Sequence, residues 1–404
     1  MNVFKKIWCR MFQGAFRFVL PVLPYRNPVI LASVDAIPRL LREKKKCSVL
    51  VVTDQGVLKH KLAEPILKLL DESSVKYGVF SDIQPNPTVA NVENARQAYI
   101  AQGADAIIAI GGGSAIDAAK ALGARIAQPR TSLARMGGIL RVYMPLPMFI
   151  AIPTTAGTGS ETTLAAIVTD TETRRKYALM SFPLIPHYAV LDPRMTLTLP
   201  PHLTATTGMD ALTHAVEAFI GRSTTRETRS LAIDAVRLIF ANIKKAFEDG
   251  TDLEARGNML LAAHKAGIAF SKSYVGYVHA VAHSLGGKYD TPHGLANAVI
   301  LPWMLAEYGP AVYAKLSVLA KAAGVCDSGD SEKTASEKFI EAIRSLNREM
   351  GIPEKIDAIL PGDIPCLAAH AEREANPLYP VPRLMSAGQL EKIYRLVGKE
   401  SCIP

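Results

Sequence analysis

ADAIIAIGGGSAIDAAK, residues 104–120, decides how this chain folds. Its first seven residues read as a strand, apolar but for Asp105, and from Ser114 onward Ala, Ile and Lys recur at helical spacing. Between them stand Gly111, Gly112 and Gly113. A strand running straight into a helix is the building unit of a parallel sheet. Glycines admit a ligand close to the backbone, and the unpaired N–H groups at a helix start attract an anion. The turn therefore reads as a pyrophosphate site, with a plain tight turn as the blander alternative. It is not GxGxxG, and no acidic residue stands about 20 positions later.

Outward from this stretch the same alternation repeats. CSVLVVTD (47–54) reads as a buried strand and VLKHKLAEPILKLLDES (57–73) as one amphipathic helix. KYGVF (76–80), the helix TVANVENARQAYIAQG (88–103) and the strand MFIAIPT (148–154) continue the winding. LAAIVTD and RRKYALMS, around Thr171-Glu172-Thr173, read as a β-hairpin across the sheet edge. From about Thr204 the β-branched runs give way to helical spacing through 224–248, 252–270, 278–287, 309–323 and 331–350. The expected fold is an α/β N-terminal dinucleotide-binding domain with a parallel sheet, plus an all-α C-terminal metal-binding domain. The expected boundaries are 1–28 for an N-terminal helical extension, 29–200 for the α/β domain and 201–404 for the helical metal and substrate domain.

The composition, 49% hydrophobic and 21% charged, is that of a packed globular protein. The net charge of +9 is scattered among acidic residues, and the Arg42–Lys46 run lacks aromatic interleaving, so no nucleic-acid partner is expected. Five dispersed cysteines without a CxxC pair point to a reducing compartment, hence a cytoplasmic location. No apolar run approaches the roughly 18 residues of a membrane span. The first 25 residues alternate Phe, Trp, Met and Val with Lys and Arg. They read as a helix packed on the protein or on a neighbouring subunit, with a membrane-surface helix as the second reading.

Two stretches carry metal-ligand grammar. HAVAHSLGGKYDTPHG places His279 and His283 four apart on one helical face, with His293 in a turn-like segment after them; GMDALTHAVEA places Asp210 and His214 four apart. Either pair alone could be an ordinary surface or helix pair. Together they offer a carboxylate and up to three imidazoles, a set suited to Fe(II) or Zn(II). Asp54 ends the 47–54 strand, where it could bind an adenosine ribose and favour NAD, or simply cap the next helix. IPTTAGTGSE (152–161), with Thr154, Thr155 and Thr158, reads as a second wall for a nucleotide.

GGGSAIDAAK, IPTTAGTGSE, GMDALTHAVEA and HAVAHSLGGKYDTPHG, in this order, resemble the iron-containing alcohol dehydrogenases, the metal-dependent group III, over roughly residues 29–395. The resemblance implies Asp210, His214, His279 and His293 as metal ligands and His283 as a catalytic neighbour that handles a proton without ligating. It implies Gly112, Gly113, Ser114 and Asp117 at the dinucleotide loop, and Thr154, Thr155, Thr158 and Lys176 along the cofactor. It also implies Asp54 at the position that selects NAD and Asn86 near the adenosine. Phe270 and Ala165 match substrate-pocket positions. The chain departs from the common pattern in residues 1–28 and in AEREANPLYPVPRLM (371–385), where Glu372 or Arg373 could supply polarity.

The implied activity is NAD-dependent interconversion of alcohols with aldehydes or ketones, with a divalent metal, Fe(II) or else Zn(II), on the substrate oxygen. A homodimer or larger homo-oligomer is implied as well. A glycerol dehydrogenase-like polyol oxidoreductase is the nearest rival, and a dehydroquinate synthase-like NAD-dependent lyase a further one. A non-catalytic scaffold is disfavoured by the intact ligand set.

Overall fold

The computed structural model describes residues 1, 3–171 and 175–399. These form two compact units, Pro24–Leu199 and a helical unit of Pro200 onward that also includes Met1–Leu23. The first contains nine strands: β1 (Val29–Leu31), β2 (Ser48–Val52), β3 (Lys76–Phe80), β4 (Ala106–Gly111), β5 (Gly138–Ile139), β6 (Met148–Pro153), β7 (Ala165–Asp170), β8 (Arg175–Met180) and β9 (Tyr188–Val190). Six make one sheet in the order β1-β9-β6-β4-β2-β3, and every pairing in it is parallel.

The central strands β2, β4 and β6 are buried on both faces because neither face of their sequence is polar. Leu50, Val52, Ile107, Ala109, Phe149 and Ala151 join one core, with Val92, Ala95 and Tyr99 of the Val89–Gln102 helix. Val49, Val51, Ile108, Ile110, Ile150 and Ile152 join the other, with Ile37, Ile66 and Leu70. Alternate residues thus serve opposite faces, the period of two of a pleated strand. Each fully buried Val or Ile stabilises the unit by about 1.5–3 kcal/mol relative to exposure.

The α/β unit departs from the sequence expectation in two places. The single helix expected over 57–73 is two, Gln55–Lys59 and Glu64–Glu72. Lys61 takes a left-handed backbone at φ 58°, and Pro65 sits in the first turn of the second helix, where its missing N–H does no harm. The hairpin β7–β8 is antiparallel as expected, but instead of lying on the main sheet's edge it forms a small sheet of its own with β5. Its turn at Thr171-Glu172-Thr173 lies partly outside the described residues.

The helical unit is built on Pro201–Ile220, buried almost throughout from Gly208 to its end. Gly208 lets two neighbours close in: an added Cβ would stand 2.7 Å from Ile243 Cδ1 and 2.9 Å from Met259 Cε. Helices Tyr277–Tyr289 and His293–Tyr308 follow, so the segment read as a turn holds His293 as the first residue of a helix, entered through Pro292. The Val3–Val19 helix belongs to this unit through its polar side. Arg10 donates to the carbonyls of Val381 and Pro382, and Gln13 Nε2 to those of Pro377 and Tyr379, while Cys9 is buried beside them. Among the described residues no helix is long and apolar enough to cross a membrane.

Candidate metal centre and nucleotide loop

In the helical unit, Asp210 and His214 lie one turn apart on Pro201–Ile220, His279 lies in the first turn of Tyr277–Tyr289, and His293 starts the helix after it. One donor atom from each falls within 4.8 Å of the others. Asp210, His214 and His279 are buried, and His293 is partly exposed. Asp210 Oδ1 stands 3.5 Å from His293 Nε2 and 4.0 Å from His279 Nε2. The Asn297 amide nitrogen reaches into the same point, donating to Asp210 Oδ1 at 2.7 Å and lying 3.1 Å from His293 Nε2 and 3.3 Å from His279 Nε2.

The ring orientation has a cause further out. Glu217, three residues after His214 on the same helix, meets His279 Nδ1 at 2.6 Å and accepts from the backbone N–H groups of Gly276 and Val278, each at 2.8 Å. Nδ1 of His279 thus carries the proton and Nε2 presents its lone pair to the cluster. Burial, with His214, His293 and His283 nearby, holds the His279 imidazolium well below its ordinary range. Burial likewise lowers His293 to about 4, against the pull of Asp210. Neutral imidazoles with converging lone pairs beside a carboxylate fit a divalent cation.

His283 stands beside this group. Its ring stacks on His293 with centroids 5.2 Å apart, and its Nδ1 lies 2.6 Å from Glu374 Oε1. Burial disfavours its charge, but the side chain keeps 42% of its exposure, and the Glu374 carboxylate wins, raising its pKa. Tyr379 donates its hydroxyl to the same Glu374 oxygen at 2.8 Å. Phe270 stacks on His214, with centroids 4.0 Å apart and planes 13° from parallel.

Glu217, Asn297, Glu374 and Tyr379 were not legible as site residues. Glu217 had a signal, since Asp210, His214 and Glu217 follow the i, i+4, i+7 rhythm of one helix face. Glu374 had none: its partner is 91 residues away in the chain. Polarity at 371–385 comes from Glu374 and not from Glu372, which is tied to Lys5 and to the N–H of Ala387.

In the α/β unit the loop residues gather at the C-terminal ends of β2, β4 and β6, neighbours in the sheet. Gly111 takes φ 154°, and a Cβ there would meet Ala115 Cβ at 2.7 Å and Asp54 Oδ2 at 3.2 Å. A Cβ on Gly112 would touch Thr155 at 3.5 Å, and one on Gly113 would crowd Thr158 at 3.1 Å. Gly112 caps the Gly113–Ala127 helix, which also carries Ser114 in its first turn, so backbone N–H groups face the loop. The Thr154 N–H is bound to the Gly111 carbonyl.

Asp54 does cap the following helix, accepting from Val57 N at 3.0 Å through one oxygen; the other points toward Gly111. Asp117 is engaged inside the unit, accepting from Ser160 Oγ and from Ile167 N, with Lys120 3.7 Å away. It therefore braces the Thr158–Ser160 turn, each of its oxygens accepting one hydrogen bond from within the unit. Asn86 is exposed with φ 59°, Lys176 is exposed on β8, and the Ala165 carbonyl accepts from Lys120 Nζ.

The model of the iron-containing alcohol dehydrogenases matches residues 29–193, and that of the C-terminal part of the same family matches 204–397. This chain belongs to the iron-containing alcohol dehydrogenase family. As an alcohol dehydrogenase of this type it is an oxidoreductase that uses NAD and a divalent metal to interconvert alcohols and carbonyl compounds. It is 36% identical over 384 residues to 1,3-propanediol dehydrogenase of Klebsiella pneumoniae, covering 94% of this chain and 98% of that one. It is 34% identical over 331 residues to the NAD-dependent methanol dehydrogenase of Bacillus methanolicus, covering 82% and 87%. The alcohol dehydrogenase from Oenococcus oeni superposes with a TM-score of 0.88 at 34% identity, over 92% of this chain and all of the other. The first 28 residues lie ahead of the family match.

Proposed function

We propose that this alcohol dehydrogenase acts on short alcohols and diols, with Fe(II) held by Asp210, His214, His279 and His293. The convergence of these four donors within 4.8 Å carries the reading, with His279 Nε2 turned inward by Glu217. When bound, the metal acts as a Lewis acid on the substrate oxygen and NAD takes up or returns a hydride.

The chain's own residues do the rest. Gly112, Gly113 and Ser114 offer backbone N–H groups to the pyrophosphate, and Thr154, Thr155 and Thr158 pack against them as the second wall. Asp54 and Asn86 take the adenosine end, where a carboxylate repels a 2′-phosphate, and Lys176 takes the other ribose. His283 keeps its Nδ1 proton on Glu374, so its Nε2 is the atom that accepts or gives the alcohol proton. Tyr379 holds Glu374 in place for that role. Phe270, stacked on His214, presents apolar surface beside the metal site, which suits short chains. The relatives named for propanediol and methanol support the same size class. The described cysteines are all free, which supports a cytoplasmic setting, and homo-oligomers are the form expected.

The test is a panel of short alcohols, diols and aldehydes with NAD(H) and NADP(H), run on protein reconstituted with Fe(II) or Zn(II). Fe(II)-dependent NADH production from primary alcohols or 1,3-diols is the expected result. A preference for glycerol and other vicinal polyols would favour the rival polyol reading, and no net NADH from any alcohol would refute both.

A further inference from the structure

The Val3–Val19 helix is docked with its polar side toward the protein and its apolar side outward. Arg10 and Gln13 spend their donors on backbone carbonyls of 377–382. Val3, Phe4, Ile7, Trp8, Met11 and Phe18 remain exposed, Phe4 at 83%, Trp8 at 59% and Phe18 at 85%. At about 100° per residue these six fall within one arc of about 140°. Such a contiguous apolar stripe on a surface helix marks an interaction face.

Charge selects the occupant. The helix has no Asp or Glu; Lys6 and Arg17 border the stripe, while Lys5 is paired with Glu372. Exposed Arg222 and Arg229 extend the positive surface next to Arg17: after burial itself, these three arginines are what lower the nearby Lys315 ammonium to about 8. A second copy seated on the stripe would bring two such basic margins together with no acidic side chain of the helix to offset them. An anionic bilayer offsets them directly. Aromatic side chains within an apolar face bordered by Lys and Arg match the headgroup–acyl boundary, where cations reach the phosphates and rings sink below them.

We propose that the Val3–Val19 helix is a membrane-surface anchor that lies flat on an anionic lipid bilayer with its apolar stripe inserted and its polar side still fixed to the enzyme. None of the stripe residues belongs to the metal centre, although the helix docks on the segment that carries Tyr379. The anchor gives the dehydrogenase a place at the membrane where short alcohols and aldehydes partition in and out.

The experiment is flotation of the full-length enzyme with vesicles of phosphatidylcholine mixed with phosphatidylglycerol, and with phosphatidylcholine alone. The wild type should float with the anionic vesicles, less so at high salt. Phe4→Gln/Trp8→Gln should bind about tenfold more weakly with turnover in solution unchanged, and Lys6→Glu/Arg17→Glu should lose the preference for anionic lipid. Failure of the wild type to float with either vesicle, or equal flotation of Phe4→Gln/Trp8→Gln, would overturn the proposal. So would a fall in oligomer size of that variant by sedimentation velocity without any lipid binding by the wild type, since a second copy would then own the stripe.

Discussion

Replacing Glu217 with Gln tests the part of the centre that faces away from the metal. The carboxylate serves three donors at once: His279 Nδ1 at 2.6 Å and the N–H groups of Gly276 and Val278 at 2.8 Å each. An amide keeps one accepting oxygen and turns the other into a donor, so at least one buried N–H then faces an N–H. That costs about 1–3 kcal/mol of folding stability in the metal-free protein. Relaxation is limited, because a Cβ on Gly276 would already stand 2.6 Å from Glu217 Oε1; the loop and the carboxylate are in close contact. The His279 ring also loses an anionic partner, which lowers the basicity of Nε2 and loosens its aim. Partners of this kind are worth about 10–100-fold in metal affinity, or about 1.4–2.8 kcal/mol. The assay is competition for Fe(II) or Zn(II) against a chelator of known affinity, with urea unfolding of the apo form alongside. Unchanged metal affinity together with unchanged stability would refute the reasoning, because both effects follow from the same three contacts.

Three further outcomes follow from the same geometry. His283→Ala should keep its metal and lose turnover, and Glu374→Gln should lower turnover less and shift its pH profile; metal loss in His283→Ala would show that it is a ligand. Asp54→Gly should improve the use of NADP relative to NAD, read from kcat/KM with each cofactor, and an unmoved ratio would exclude the ribose contact. His187 accepts the Phe149 N–H through Nδ1, and burial, then Arg26, hold its pKa down at about 4 against 6.5. The unfolded chain therefore takes up this proton below pH 6.5 and the folded chain only below about 4. Stability from this group is complete above 6.5 and falls as pH drops toward 4, by about 2 kcal/mol after allowance for partial exposure. His187→Asn should flatten that part of the urea-midpoint profile, and an identical slope would contradict it.

What the sequence made legible tracks the range of the forces involved. Strands 47–54, 104–110 and 148–154 are apolar on both faces because both are covered, and that shows in consecutive residues. Asp210 with His214, and His279 with His283, are visible because one helical turn brings them together. The break at Lys61 was announced by Pro65 but hidden under a continuous amphipathic pattern. The separate β5–β8–β7 sheet depends on the two residues Gly138 and Ile139, too few to carry a period. Glu374 facing His283, and Arg10 and Gln13 holding the 377–382 carbonyls, are pairings across 91 and more than 360 residues that no local pattern encodes. Asp117 follows the glycines in the chain, and only the fold shows that its two oxygens accept from Ser160 and the Ile167 N–H.

The central claim is that Asp210, His214, His279 and His293 together hold the metal on which alcohol oxidation depends. The most direct measurement is the metal content of Fe(II)-reconstituted wild type and Asp210→Ala, taken with NADH production on the same samples. The wild type should retain one metal ion per chain and turn over, while Asp210→Ala should retain neither metal nor activity and still show the wild-type far-UV spectrum. A folded Asp210→Ala that keeps both its metal and its activity would contradict the account.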